Sequence, residues 1–96
     1  MEQRDKAKMD LVRHWLEKAE KDFTLARHLA AGHHSYFEAI AFHSQQTAEK
    51  LLKALLVFHQ VEFPRTHNLG ELLDLVGTRD ATLAIGLGDI TALNPY

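Results

Sequence analysis

From Val12 onward, apolar residues recur at three- and four-residue steps: Val12, Trp15, Leu16, Ala19, Phe23, Ala26 and Ala30. Arg13, Glu17, Glu20, Lys21 and Asp22 fill the intervening face. That period predicts an amphipathic helix over residues 9–31 with one buried stripe. Gly32 follows where a left-handed residue commonly ends a helix. Ser35, with Glu38 three residues on, forms a capping box that opens a second helix over 35–60. Tyr36, Phe37, Ala39, Ile40, Ala41, Phe42, Ala48, Leu51, Leu52 and the run Ala54–Phe58 leave that helix only a narrow polar strip. A helix apolar around most of its circumference is central, or is shared between a core and a subunit interface.

Gln60 to Thr66, with Pro64 inside, reads as a connection. Thr66 or Asn68 then caps a third helix over 67–76, carrying Leu69, Leu72, Leu73, Leu75 and Val76 and stopped by Gly77. Thr78 or Asp80 caps a fourth over 80–93, which Gly86 and Gly88 weaken. Each glycine there costs about 1 kcal/mol relative to alanine. No stretch alternates as a strand does. The expected fold is all-α, an up-and-down antiparallel four-helix bundle in one domain.

Ninety-six residues suit that single domain. Surface scaling gives about 5,600 Å² folded against about 15,800 Å² unfolded, enough for one small core. The absence of cysteine excludes disulfides, thiolate metal sites and a cysteine nucleophile. Eleven basic against thirteen acidic residues give a formal charge of −2, so nucleic acid held by charge alone is disfavoured. Nothing reads as a signal peptide, and the longest apolar run, Ala54–Phe58, falls far short of the roughly 20 residues that span a bilayer. A cytoplasmic protein with no membrane contact is expected.

The seven histidines include no i, i+4 pair and no HExxH, so surface and capping roles are expected and neither metal nor cofactor is. There is no phosphate loop and no serine elbow. Trp15, Phe23 and Phe42 read as core. More specific is the run His43 to Leu56, where polar residues enter an apolar helix. Gln46, Lys50 and Lys53 share a face there, with Glu49 beside Gln46 and Lys53. Two readings stay open: a salt-bridged surface in which Glu49 pairs with Lys53, or a polar row, flanked by His43, that bonds across an interface or holds a phosphate. Arg65, Thr66 and His67 at the start of the third helix pose the same choice between capping and anion binding.

That run, followed by Arg65-Thr66-His67-Asn68-Leu69-x-x-Leu72-Leu73, resembles the small prokaryotic HEPN domain proteins, whose second helix carries a "QQAAEKALKALL" phrase and whose third begins "THxLxxL". Trp15-Leu16-x-x-Ala19-x-x-Asp22-x-x-x-Ala26 is similar to their first helix, and Ala92-Leu93-Asn94-Pro95-Tyr96 to the approach to their last. The resemblance implies a helical bundle that homodimerises, is paired with a minimal nucleotidyltransferase or works in a toxin–antitoxin system, and binds nucleotide or RNA. Active toxins of the family are metal-independent ribonucleases with an Arg-x4–6-His motif completed across the dimer. Here Arg27 and His33 have that spacing but lie at the end of the first helix, Arg65 and His67 are too close, and no histidine follows Arg79. The family's "RYP" arginine and fifth helix would fall past residue 96, as in a shortened member or a fragment. The leading expectation is therefore a homodimeric accessory module with no catalytic residues. A HEPN ribonuclease toxin is the first alternative and a ligand-free helical interaction module the second.

Overall fold

A computed structural model describes residues 3–32 and 36–93. Helix α1 spans Gln3–Ala31, α2 Phe37–Phe58, α3 Leu69–Gly77 and α4 Ala81–Gly86, and a 3₁₀ segment follows over Gly88–Leu93. The described residues contain no strand, as expected of an all-α bundle. No helix is long and apolar enough to cross a membrane.

Helix α1 begins at Gln3, six residues before the start expected at residue 9. Its extra turns are polar, and Asp10 receives both Lys6 at 3.0 Å and Arg13 at 3.3 Å on the exposed face. The buried line is narrower than the expected stripe. Asp5, Lys8, Val12, Trp15, Ala19, Asp22, Ala26 and Leu29, alternating three and four apart, are all at least partly buried. That heptad is the seam of two helices packed side by side, and α1 packs along α2 alone. Leu16 and Phe23 flank the seam and stay 44% and 53% exposed, and Phe42 is 56% exposed, so Phe23 and Phe42 are not core. With no described helix but α2 packed on it, α1 covers one line of side chains rather than a broad face.

The core lies on the other side of α2. Ala48, Leu52 and Leu56 meet Leu69, Leu72, Leu73 and Val76 of α3, with Val61, Phe63, Leu83, Ala84 and Leu87 packed around them. Each buried leucine contributes about 1.5–3 kcal/mol.

Several boundaries differ from the sequence pattern. Helix α2 ends at Phe58 because Gln60 adopts a left-handed φ of 58°. The Val61 amide bonds the Leu56 carbonyl at 2.9 Å and the Gln60 amide that of Val57 at 3.0 Å, the two bonds of a Schellman close. Gly32 carries no positive φ. Ser35, the expected cap of α2, lies outside the described residues, and Tyr36 at the N-cap makes no side-chain cap bond. Helix α3 starts at Leu69, since Asn68 is its cap, accepting the Glu71 amide at 3.1 Å. Asp80 caps α4 through the Leu83 amide at 2.9 Å. The expected fourth helix breaks after Gly86, where two glycines in three residues withdraw both packing and propensity. Gly77 lies against α4, where a Cβ in its place would stand 3.4 Å from the Ala84 Cβ.

Candidate functional site

Two polar clusters sit on α2, each built on a carboxylate that takes a histidine and a lysine. In the first, Asp22 occupies the α1 seam. Its Oδ1 accepts His43 Nδ1 at 2.9 Å and its Oδ2 accepts Lys50 Nζ. All three side chains are largely buried, at 13%, 23% and 20% exposure for Asp22, His43 and Lys50. Burial pushes the Asp22 carboxyl up, but the hydrogen bonds and charges of Lys50 and His43 outweigh it and hold the group below its ordinary value.

The second cluster joins α2 to the connection before α3. Gln45, Glu49 and Lys53 are spaced i, i+4, i+8, so they form one slowly turning row. All three are buried. Glu49 Oε2 accepts Lys53 Nζ at 3.1 Å, while Oε1 accepts Gln45 Nε2 at 3.3 Å and His67 Nδ1 at 2.9 Å. Gln45 also donates to the His67 carbonyl at 3.2 Å. The Lys53 ammonium lies 5.3 Å from the Trp15 ring centre and 6.0 Å from that of Phe63, so aromatic faces replace part of its lost hydration. No buried side-chain nitrogen or oxygen among the described residues lacks a partner. Burying charge is tolerated here because every member is paired.

The residues expected to share one polar face are thus divided. Lys50 and His43 turn to Asp22, Lys53 turns to Glu49, and Gln46 donates to Gln45 at 2.9 Å. The Glu49–Lys53 pair forms as its spacing predicts but is buried rather than on a solvated face. Thr66 is not the cap of α3; its hydroxyl accepts the Asn68 amide at 3.1 Å. With Asn68 taking the Glu71 amide, side chains occupy donors that a phosphate at the helix start would use. Arg65 is exposed and unpaired among the described residues, and the His67 side chain is 74% exposed. Asp22 and Gln45 were missed as site residues. The seven-residue repeat that places Asp22 between Trp15 and Leu29 was the available signal.

The HEPN domain family model matches residues 12–91. The chain belongs to the HEPN domain family. Comparison with characterised proteins gave no match, and neither did comparison with solved structures. In this HEPN protein the two phrases that carry the family likeness complete one another. The α2 run supplies Gln45, Glu49 and Lys53, and the Thr66-His67-Asn68 phrase supplies the imidazole and the cap of α3. The HEPN signature here is therefore a buried polar joint between two helices as much as a packing pattern. Chemically the joint does one further thing. A carboxylate accepts only, so a neutral His67 ring in this contact donates from Nδ1 and carries its lone pair on Nε2.

Proposed function

We propose that the chain is a homodimerising HEPN accessory module, the partner of a nucleotidyltransferase or one half of a toxin–antitoxin pair, with nucleotide or RNA as its ligand. The observation that carries the dimer is an uncovered apolar face. Leu16 and Phe23 of α1 and Leu51 and Phe58 of α2 are each 42–53% exposed. Beside them a groove of about 460 Å³, lined by Val12, Leu16, Leu51, Leu55, Phe58 and Leu87, contains no polar lining residue. The chain exposes 6857 Å², about a fifth above the ~5,600 Å² usual for its mass. That excess is of the order of one partner's share of a stable interface, about 800 Å². Contiguous apolar surface of this kind marks an association site, and a second copy is the partner always present.

Sedimentation at tens of micromolar tests it (about the range in which weak dimers form). A dimer is expected, with Leu51→Glu giving a folded monomer; a monomeric parent would refute the reading. Co-purification with the product of an adjacent nucleotidyltransferase gene tests the partner. The resemblance alone supports that partner and the nucleotide or RNA ligand.

A further inference from the structure

His67 combines two properties that no other described histidine combines. Its side chain is 74% exposed, yet its Nδ1 is fixed at 2.9 Å to a carboxylate that is itself only 3% exposed. His43 has the carboxylate but is 23% exposed. His14 and His28 are exposed, and neither they nor His59 bonds a carboxylate. A surface imidazole normally rotates freely. Here the ring is held through Nδ1, and the neutral form of a ring so held has Nε2 as its nucleophilic nitrogen.

Glu49 meets the ring through Oε1 at 2.9 Å while its other oxygen, Oε2, holds Lys53 at 3.1 Å. The carboxylate can therefore stabilise positive charge that develops on the ring when Nε2 is attacked by, or attacks, an electrophile. Arg65 stands two residues away, exposed and unpaired among the described residues. Its guanidinium suits the oxygens of a phosphoryl group better than any neutral electrophile.

We propose that His67 Nε2 is a phosphoryl-accepting site, positioned by Glu49 and assisted by Arg65. With phosphoramidate as donor, the Nε2 lone pair forms a bond to phosphorus while the donor's own P–N bond breaks. Ammonia leaves and takes a proton from water, and the ring proton on Nδ1 stays in the bond to Glu49. The site does not depend on dimerisation: Leu51 and Glu49, two residues apart, project from opposite sides of α2, so the apolar face lies away from it.

The test is to incubate the full chain with phosphoramidate and map phosphohistidine by intact mass, fragmentation and ³¹P NMR. One acid-labile phosphoryl group is expected, on His67 and in the Nε2 isomer, forming at least about tenfold faster than any on His14, His28 or His59, the usual size of an outer-shell effect. Arg65→Gln, at an exposed position, should slow it several-fold with unchanged circular dichroism. Glu49→Gln should slow it about tenfold and shift part of the product to Nδ1; because that site is buried, the Arg65 variant keeps the test valid if this one unfolds. Labelling of His14 and His28 at the rate of His67, or no labelling of His67, would overturn the proposal.

Discussion

Asp22 of α1 and His43 of α2 meet at 2.9 Å in the part of the helix seam where the heptad positions on either side, from Val12 to Leu29, are apolar or small. A polar group in such a seam costs stability but fixes which residues face one another. Replacing it by asparagine leaves Lys50 and His43 facing a neutral amide. Loss of charged hydrogen bonds of this kind costs about 1–3 kcal/mol, so Asp22→Asn should lower the unfolding free energy at neutral pH by that amount, read as a lower urea midpoint.

The same carboxyl makes the fold acid-sensitive. Burial raises its proton affinity, and the bonds and charges of Lys50 and His43 lower it by more, so the folded value lies below the ordinary 3.8. A carboxyl depressed by folding stabilises the protein fully above its unfolded value. That contribution disappears as pH drops below 3.8 and through the lower folded value. Urea midpoints measured across this range should fall more steeply for the parent than for Asp22→Asn. Parallel curves would show that the seam contributes nothing.

Glu49 and Lys53 should behave as a buried pair. Glu49→Ala strands an ammonium that is 9% exposed, and removing one partner of such a pair costs about 3–5 kcal/mol. A domain of this size has only about 5–15 kcal/mol in total, so the variant should be largely unfolded by modest urea. Replacing both, as Glu49→Leu with Lys53→Met, should recover most of the loss, since apolar isosteres often match a buried ion pair. If the double variant were no better than the single one, the cost would lie in shape rather than charge.

These two clusters also show what could be read from the chain. The helices were legible because their apolar period is strong, and residue type narrowed the caps to Thr66 or Asn68 for α3 and Thr78 or Asp80 for α4, of which Asn68 and Asp80 serve. The width of the α1 stripe was not legible. Leu16 and Phe23 have the right period for a core, but among the described elements α1 packs on α2 alone and leaves them exposed. The polar face of α2 was read as a single row of Gln46, Lys50 and Lys53. Their division between Asp22 and Glu49 depends on which helix lies on which side, and spacing within α2 carries no information about that. Burial of Glu49 was hidden for the same reason, since an i, i+4 Glu–Lys pair looks identical on a solvated face and inside a joint.

Gln60 offers a test of the α2 close. Its φ of 58° places a side chain in the left-handed region, which costs about 1–2 kcal/mol for a residue other than glycine. The bonds of Val61 and Gln60 back to Leu56 and Val57 hold it there. Gln60→Gly should raise stability by up to about 1 kcal/mol, part of the relief being returned as greater freedom of the unfolded chain. A loss of stability would mean that the Gln60 side chain contributes more than its backbone strain costs.

The purified chain should leave RNA intact. Cleavage of a phosphodiester through the 2′-hydroxyl needs a base at that hydroxyl, an acid at the leaving oxygen and a cation at the phosphoryl oxygens. His43 is 23% exposed with Nδ1 on Asp22, and the cation beside it, Lys50, is held by the same carboxylate. His67 is open, but Lys53 is buried against Glu49, so only Arg65 is free to meet a phosphate beside it. One imidazole and one guanidinium provide a base and a cation without the acid. Arg27, which has the spacing of the family's catalytic arginine to His33, places its guanidinium 5.6 Å from the Phe23 ring centre, and His33 lies outside the described residues. A mixed RNA pool incubated with the protein in the presence of chelator should therefore keep its length distribution on a denaturing gel. Cleavage that disappears in His67→Gln or His43→Ala would reverse this and make the ribonuclease reading the leading one.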